Sequence, residues 1–357
     1  MKSSGNFFHL LRQAASRNYS LFFIDMFLSE RTHVYIIHSK IPADSSACDK
    51  IIKDRAMIEG IFVEGLIYGI MVLGVFITFR ILDFPDLTVD GSFPLGAAIM
   101  ASLIISGYNV FFALAAAFLG GVAAGVVTAV IHNRLKVPNL LAGILTMTML
   151  WSVNIRIMGN RANLPLLKNE TILTDIVSWT EGIIPSDYTI LVFFFLVAMA
   201  IKFSMDLFFR TDMGLTLGAL GNNEQMVISQ GVNINLMKAI GVGLSNGLVA
   251  VSGAFAAQYQ GFADVGLGTG IVVTGLASVM IGEFIFTSNK IVVLTFRVII
   301  GSIIYKAIMY LGRYYGYHIG LTPNDLKLLA GLLIIACLMI AQGKKRNYFR
   351  RWKNDQA

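Results

Sequence analysis

The sequence has 357 residues, of which 56% are hydrophobic and only 14% are charged, and its mean hydropathy is +0.70. Because soluble domains carry roughly 25% charged residues, this composition excludes an ordinary soluble protein and predicts a polytopic membrane protein. Much of the net charge of +7 lies in two terminal clusters instead of along one exposed face, so no nucleic-acid partner is expected.

The first 56 residues are polar and basic, with eight Lys or Arg. No apolar run there reaches the roughly 20 residues that a membrane span requires, and none has the form of a signal peptide. We expect translation to begin at Met57, at the start of the first apolar run, with residues 1–56 a wrongly assigned start. The alternative is a genuine basic cytoplasmic arm, and the mass of the intact protein distinguishes the two.

Apolar runs within residues 57–343 predict an all-α transmembrane domain with about nine spans. The second run is too short to cross a membrane unaided, so a short or broken helix is expected there. The predicted spans are 61–80, 93–106, 109–131, 139–157, 189–209, 235–258, 269–286, 291–312 and 326–342.

Basic residues set the predicted orientation, because short cytoplasmic loops are rich in Lys and Arg. The tail 344–357 and the loop 132–136 are both basic, which places them inside. Alternation of the spans then places residues 211–231 inside and residues 158–188 outside. This outer loop is either the contact for a protein that delivers the solute or a plain connector.

The block DFPDLTVDGS at 83–92 lies between the first two spans. Irregular backbone at membrane depth is tolerated only where protein buries it or where it lines a wet cavity, and a half-helix N-terminus there suits a substrate carboxylate. We therefore predict that a substrate path includes Asp83, Asp86, Asp90 and Ser92, with Ser92 as a helix cap and Pro94 in the first turn. Alternatively, the aspartates cap helices or form an ordinary cytoplasmic turn.

The polar segment at 211–231, TDMGLTLGALGNNEQMVISQG, is too polar to cross. Asn222 and Asn223 offer N-cap oxygens to a short helix that opens near Met226, and Gly231 stands where a left-handed residue would end it. A plain connector needs only about 2–8 residues. We therefore predict a loop, two turns of helix and a stop that form a docking surface, with a helix lying on the lipid surface as the alternative.

The sixth predicted span is rich in small residues, which favours close helix packing. Asn246 lies in mid-span, where its amide needs a partner, so it either lines the substrate path or bonds to a neighbouring helix. Gln258, at the outer end, is predicted to belong to the mouth of the path.

Several ionisable residues fall within or beside the predicted spans, and four of them support a specific prediction. We predict that Glu283 and Arg297 form a structural pair across an inner hairpin. Lys306 and Arg156 lie nearer the outer side, and we expect their long side chains to extend to the membrane interface.

Two blocks resemble the permease subunits of bacterial ATP-binding-cassette (ABC) importers, in the branch of the branched-chain amino acid permeases and their relatives near aromatic amino acid systems. They are GALGNNE at 218–224, followed by Gly-Val-Asn at 231–233, and the block at 83–92. The resemblance runs from about Met57 to the C-terminus. It implies that residues 211–231 carry a coupling helix that rests in a groove of a separate ATPase, through Gly218, Gly221, Asn222, Asn223, Glu224, Met226 and Gly231.

The same resemblance implies a bacterial plasma (inner) membrane protein that works with a cytoplasmic ABC ATPase, an extracytoplasmic solute-binding protein and a second permease copy or paralogue. The sequence has no Gly-x-x-x-x-Gly-Lys-Ser/Thr motif and no His/Cys metal cluster. We therefore expect no catalytic residue, cofactor or metal in this chain, and ATP and magnesium on the partner ATPase. The expected solute is an amino acid. The alternatives are a sugar permease of the same superfamily and an ion-gradient-driven secondary carrier.

Overall fold

The computed structural model describes residues 45–166, 171–180, 186–285 and 290–318, with individual helical positions between 328 and 339. All contacts below lie within residues 52–357. The elements, in chain order, are α1 (Ser45–Phe76), a π-helical turn (Ile77–Ile81), α2 (Val89–Ile105), α3 (Val110–Leu135), α4 (Asn139–Ile157), β1 (Asn163–Pro165), α5 (Ile172–Thr180), α6 (Ser186–Phe208), α7 (Asp212–Asn222), α8 (Glu224–Ser229), α9 (Ile234–Gln260), β2 (Phe262–Asp264), a 3-10 turn (Val265–Gly268), α10 (Ile271–Ile285) and α11 (Ile291–His318).

The predicted helical membrane architecture is confirmed. Seven helical stretches in the described residues are long and apolar enough to cross a membrane, and α2 is a shorter apolar helix of 17 residues. Together they match the first eight predicted spans, and the second of these is short, as expected. The ninth predicted span, 326–342, lies largely outside the described residues, so the total of nine stays a prediction.

Helix α9 forms the centre of the domain. All its residues from Gly241 to Gln258 are buried except Leu244, and it packs mainly against α2 and α3. On α3, a Cβ atom added to Gly121 would collide with the carbonyl oxygen of Asn246 and lie 2.6 Å from Cβ of Ala250. The small residues therefore allow the backbones of α3 and α9 to approach closely, which is the packing role predicted for them.

We expect Gly121→Leu to destabilise the protein by about 1–3 kcal/mol or more, because overpacking a close helix contact forces the backbones apart. The thermal midpoint of the purified protein in detergent measures the loss. Ala115 is exposed on the same helix, and Ala115→Leu should change the midpoint by no more than about 2 °C. An equal fall for both variants would contradict the assignment of this contact.

The connections collect at two ends of the domain. At the β end, named for its strands, β1 pairs antiparallel with β2. At the α8 end, Phe84 meets His132 edge-on with 5.2 Å between ring centroids, and Asn133 Nδ2 donates to the backbone oxygen of Asn235 at 3.0 Å. Residues 132–136 and 211–231 therefore share one end, as the predicted alternation requires.

Two local predictions are wrong. Residues 212–222 form helix α7 instead of a loop, and Thr211 caps it by accepting the N–H of Gly214 at 3.3 Å. Ser92 is not a helix cap, because α2 already begins at Val89 and Ser92 lies inside the helix. Pro94 consequently lies beyond the first turn.

Candidate transport path and coupling surface

Asp86, Ser92 and Asn246 form one buried hydrogen-bond network inside the domain. Ser92 Oγ donates to Asn246 Oδ1 at 2.7 Å, and Asn246 Nδ2 donates to Asp86 Oδ2 at 2.7 Å and to the backbone oxygen of Val242 at 3.0 Å. Asp86 Oδ1 accepts the backbone N–H of Thr88 at 2.8 Å. Asp86, Ser92 and Asn246 are all 0% exposed. The amide of Asn246 thus ties α9 both to α2 and to the chain that precedes α2.

This network fixes the position of the segment before α2 relative to α9. Asn246 lies 12 residues into α9, about 18 Å along its axis, and Asp86 reaches it directly. Asp86 is therefore buried by protein at the level of the middle of α9, whereas the neighbouring Asp83 and Pro85 are exposed. The depth of this irregular segment in a membrane stays a prediction. The structure brings three predicted path residues together as a helix contact, and their part in solute movement stays a prediction.

Asp90 and Asp83 do not belong to the network. Asp90 Oδ1 accepts the N–H of Val272 at 2.8 Å and Oδ2 accepts that of Gly270 at 3.0 Å. Asp90 thereby caps α10 from the neighbouring helix α2, which corresponds to the capping alternative. Asp83 is exposed and has a φ of 49°.

Gln258 lies at the β end, about 18 Å along α9 from Asn246, and is only 2% exposed. Its Oε1 accepts the backbone N–H of Ile172 at 3.1 Å, which ties α9 to α5. Its Nε2 has no hydrogen-bond partner among the described residues. Gln258 is therefore far from the network, in the region predicted for the outer mouth.

The local geometry predicted for the short helix α8 is confirmed. Asn223 Oδ1 accepts the N–H of Met226 at 3.1 Å, and Gly231 has a φ of 78° just beyond the last turn. Val227 is 1% exposed and packs into the domain, whereas Met226 and Ile228 are 52% and 55% exposed. The helix thus anchors one apolar side chain and presents two others outward at the α8 end.

The remaining residues predicted for coupling surround α8 in different ways. A Cβ at Gly221 would collide with the carbonyl oxygen of Ile81, so α7 packs tightly on the π-helical turn that follows α1. A Cβ at Gly218 would meet nothing within 4 Å. Glu224 accepts from Lys238 Nζ at 2.9 Å, and Asn222 is exposed at the end of α7. We call α7 and α8 together, with exposed Met213, Leu215, Met226 and Ile228, the coupling surface.

Two ionic clusters hold the helices near the α8 end. The predicted pair is confirmed, with Arg297 Nη2 at 2.9 Å from Glu283 Oε1, and Arg80 Nε shares the same oxygen at 2.8 Å. Lys202 and Asp206 form a second, buried pair one turn apart on α6, which the sequence analysis missed. Their i,i+4 spacing inside an apolar run was the available signal.

The prediction that Lys306 extends to the membrane interface is wrong. Its Nζ lies 3.0 Å from Glu64 Oε2 and 3.3 Å from the centroid of the Tyr68 ring, so it points inward against α1. These side chains line a cavity of about 220 Å³ between α1, α10 and α11. The sequence analysis missed this site, although an acidic residue in the first span and a basic residue in the eighth were visible.

Residues 57–339 match the family described as branched-chain amino acid transport system / permease component. The chain is 40% identical over 281 residues to the tyrosine transport system permease protein of Clostridioides difficile, covering 79% of this chain and 90% of that protein. It is 28% identical over 211 residues to the ribose import permease protein RbsC of Escherichia coli, covering 57% of this chain and 62% of that protein. A chain of the PsaBC structure from Streptococcus pneumoniae in complex with Fab aligns over 80% of this chain and 90% of its own length, with 17% identity and a TM-score of 0.46.

Proposed function

Because the chain belongs to the branched-chain amino acid transport system permease family, whose members are membrane subunits of ABC importers, we propose that its solute is an amino acid with an aromatic side chain. The observation that carries this proposal is the 40% identity to a tyrosine transport permease across 90% of that relative. A sugar is the second candidate, because the ribose permease is also similar, but that match is weaker and spans 62% of its relative.

We further propose that the coupling surface is the contact for a cytoplasmic ATPase that carries ATP and magnesium. Two features support this role. Met226 and Ile228 are exposed on a capped helix, and the buried side chain of Val227 anchors that helix in the domain. Exposed apolar side chains at a polar end of the protein favour a protein partner. The coupling residues proposed are those predicted from the sequence, with Gly218 exposed to a partner and Gly221 packing α7 on the π-helical turn after α1.

The remaining partners follow the same proposal. The β end would face the outside of a bacterial plasma membrane, where α5 and the strands β1 and β2 offer a surface to a solute-binding protein. A second copy or a paralogue of the permease would complete the path. The buried Asp86, Ser92 and Asn246 would then move apart or turn toward the solute during transport.

The test is uptake of radiolabelled L-tyrosine into proteoliposomes that contain the permease with its ATPase and solute-binding protein. We expect uptake that requires ATP and that excess unlabelled D-ribose does not inhibit. The control is the permease alone under a proton or sodium gradient. Uptake by the permease alone would contradict the importer function and favour a secondary carrier, and competition by ribose would contradict the amino acid assignment.

A further inference from the structure

We propose that the cavity between α1, α10 and α11 is a binding site for the transported solute, and that it recognises the zwitterionic head and the ring of an aromatic amino acid. This inference rests on the proposed function for the direction of transport, but the recognition chemistry comes from the cavity itself. Its walls include Glu64, Tyr68, Thr274, Tyr305, Lys306 and Arg313.

The volume of the cavity is suited to a small solute. Its volume is about 220 Å³, below the ~300–1,000 Å³ typical of sites for drug-sized ligands. Thr269 and Arg313 on its rim are exposed, whereas Tyr305 at its back is buried. The cavity is therefore open on one side and closed on the other, which suits a single amino acid.

The charges of the cavity match both ends of an amino acid head group. Glu64 is the carboxylate of the cavity, which also contains two cations, Lys306 at 3.0 Å from Glu64 and Arg313 on the rim. Arg313 forms no ion pair with any residue in the described part of the chain. The cavity thus keeps one cation in excess, and a guanidinium binds a carboxylate well through paired hydrogen bonds. We assign the solute carboxylate to Arg313 and the solute ammonium to Glu64.

Aromatic side chains supply the rest of the recognition. Tyr68 and Tyr310 line the cavity together with Tyr305, whose hydroxyl lies 3.3 Å from Thr274 Oγ1. Lys306 already occupies one face of the Tyr68 ring. Aromatic rings pair with one another edge-to-face or offset, and hydroxyl groups at the site can bond a phenol. These walls therefore favour an aromatic amino acid over an aliphatic one or a sugar.

One wall of the cavity is held by Asp90. The backbone at Gly270 and Ile271 lines the cavity, and the carboxylate of Asp90 accepts the N–H groups of Gly270 and Val272. Asp90 is therefore a positioning residue for this site. Although it was predicted to line the substrate path, it acts on the cavity through the backbone of α10.

Protection of an engineered cysteine tests the site in the full-length permease. In a chain with Cys48→Ser and Cys337→Ser, Met309→Cys places a thiol in the cavity at a lining position that has no assigned part in recognition. A charged methanethiosulfonate reagent measures its accessibility. We expect saturating L-tyrosine to slow the reaction by about tenfold, because bound solute blocks the thiol at about 90% occupancy. Tyr315→Cys, exposed on the same helix outside the cavity, should react at an unchanged rate.

Solute analogues test the assignment of the head group. Tyramine lacks the carboxylate and 3-(4-hydroxyphenyl)propionate lacks the ammonium, so each should need about tenfold higher concentration for equal protection. D-Ribose should give no protection. Thr269→Cys on the exposed rim serves as a second reporter if Met309→Cys does not fold.

The proposed site is wrong if L-tyrosine slows the reaction of neither Met309→Cys nor Thr269→Cys, or if it slows the reaction of Tyr315→Cys equally. This outcome is separate from failure of the proposed function, which the uptake of L-tyrosine by the unsubstituted complex measures. ATP-driven uptake without protection would leave the importer intact and remove this cavity from its path.

Discussion

A Met226→Glu variant is expected to fold and to enter the membrane but to lose its ATPase partner and its ATP-driven uptake. Met226 is 52% exposed on α8, so the change disturbs the packing of the permease itself only a little. In the complex, however, the new carboxylate would be buried against an apolar groove without a partner. An unpaired buried charge costs about 3–5 kcal/mol, so the affinity for the ATPase should fall at least about 100-fold.

The measurement is co-purification of the ATPase with the permease, together with uptake in proteoliposomes. Leu135→Glu is the matched control, because Leu135 is 67% exposed at the end of α3 and lies outside the coupling surface. It should retain the ATPase and the uptake, as should the conservative Met226→Leu. If Met226→Glu retains both, or Leu135→Glu loses both, the coupling surface is not where the ATPase binds.

Local patterns in the sequence were enough to predict the helices and the caps. The fourth predicted span, 139–157, coincides with α4, because Pro138 and Gly159 bracket an uninterrupted apolar run. The cap at Asn223 and the left-handed Gly231 were likewise predictable, since both depend on residues within one turn of each other.

Helix α7 was missed because local preference and tertiary packing disagree there. Gly214, Gly218 and Gly221 each disfavour a helix by about 1 kcal/mol relative to alanine, which favoured a loop. Two of these glycines lie against backbone, Gly214 at Phe208 and Gly221 at Ile81. Such close contacts stabilise the helix only once the rest of the chain is in place, and no local pattern reports them.

The sequence also did not predict which residues the polar side chains within the spans would bind. Lys306 binds Glu64, which lies 242 positions earlier in the chain, and Asn246 binds Asp86, 160 positions earlier. The need of each group for a partner was predictable from its surroundings. The choice of partner depends on which helices are neighbours, and a single sequence does not encode that in any local spacing.

Asn246→Ala is expected to be strongly destabilising, because it leaves the carboxylate of Asp86 and the hydroxyl of Ser92 without their partner in a fully buried site. Leaving a buried polar group without its hydrogen-bond partner costs about 1–3 kcal/mol, and both Asp86 and Ser92 lose a partner here. We therefore expect a loss of about 3 kcal/mol or more and a matching loss of uptake.

The thermal midpoint in detergent and the rate of ATP-driven uptake measure both effects. Ser245→Ala is the matched control, because Ser245 is equally buried on α9 but makes a single hydrogen bond, to the backbone oxygen of Gly74 at 2.6 Å. It should cost only about 1 kcal/mol. Because Asp86→Ala removes the carboxylate oxygen that has lost its partner, adding it to Asn246→Ala should recover part of the lost stability. If the thermal midpoint of Asn246→Ala is no lower than that of Ser245→Ala, the amide does not hold α2 and α9 together.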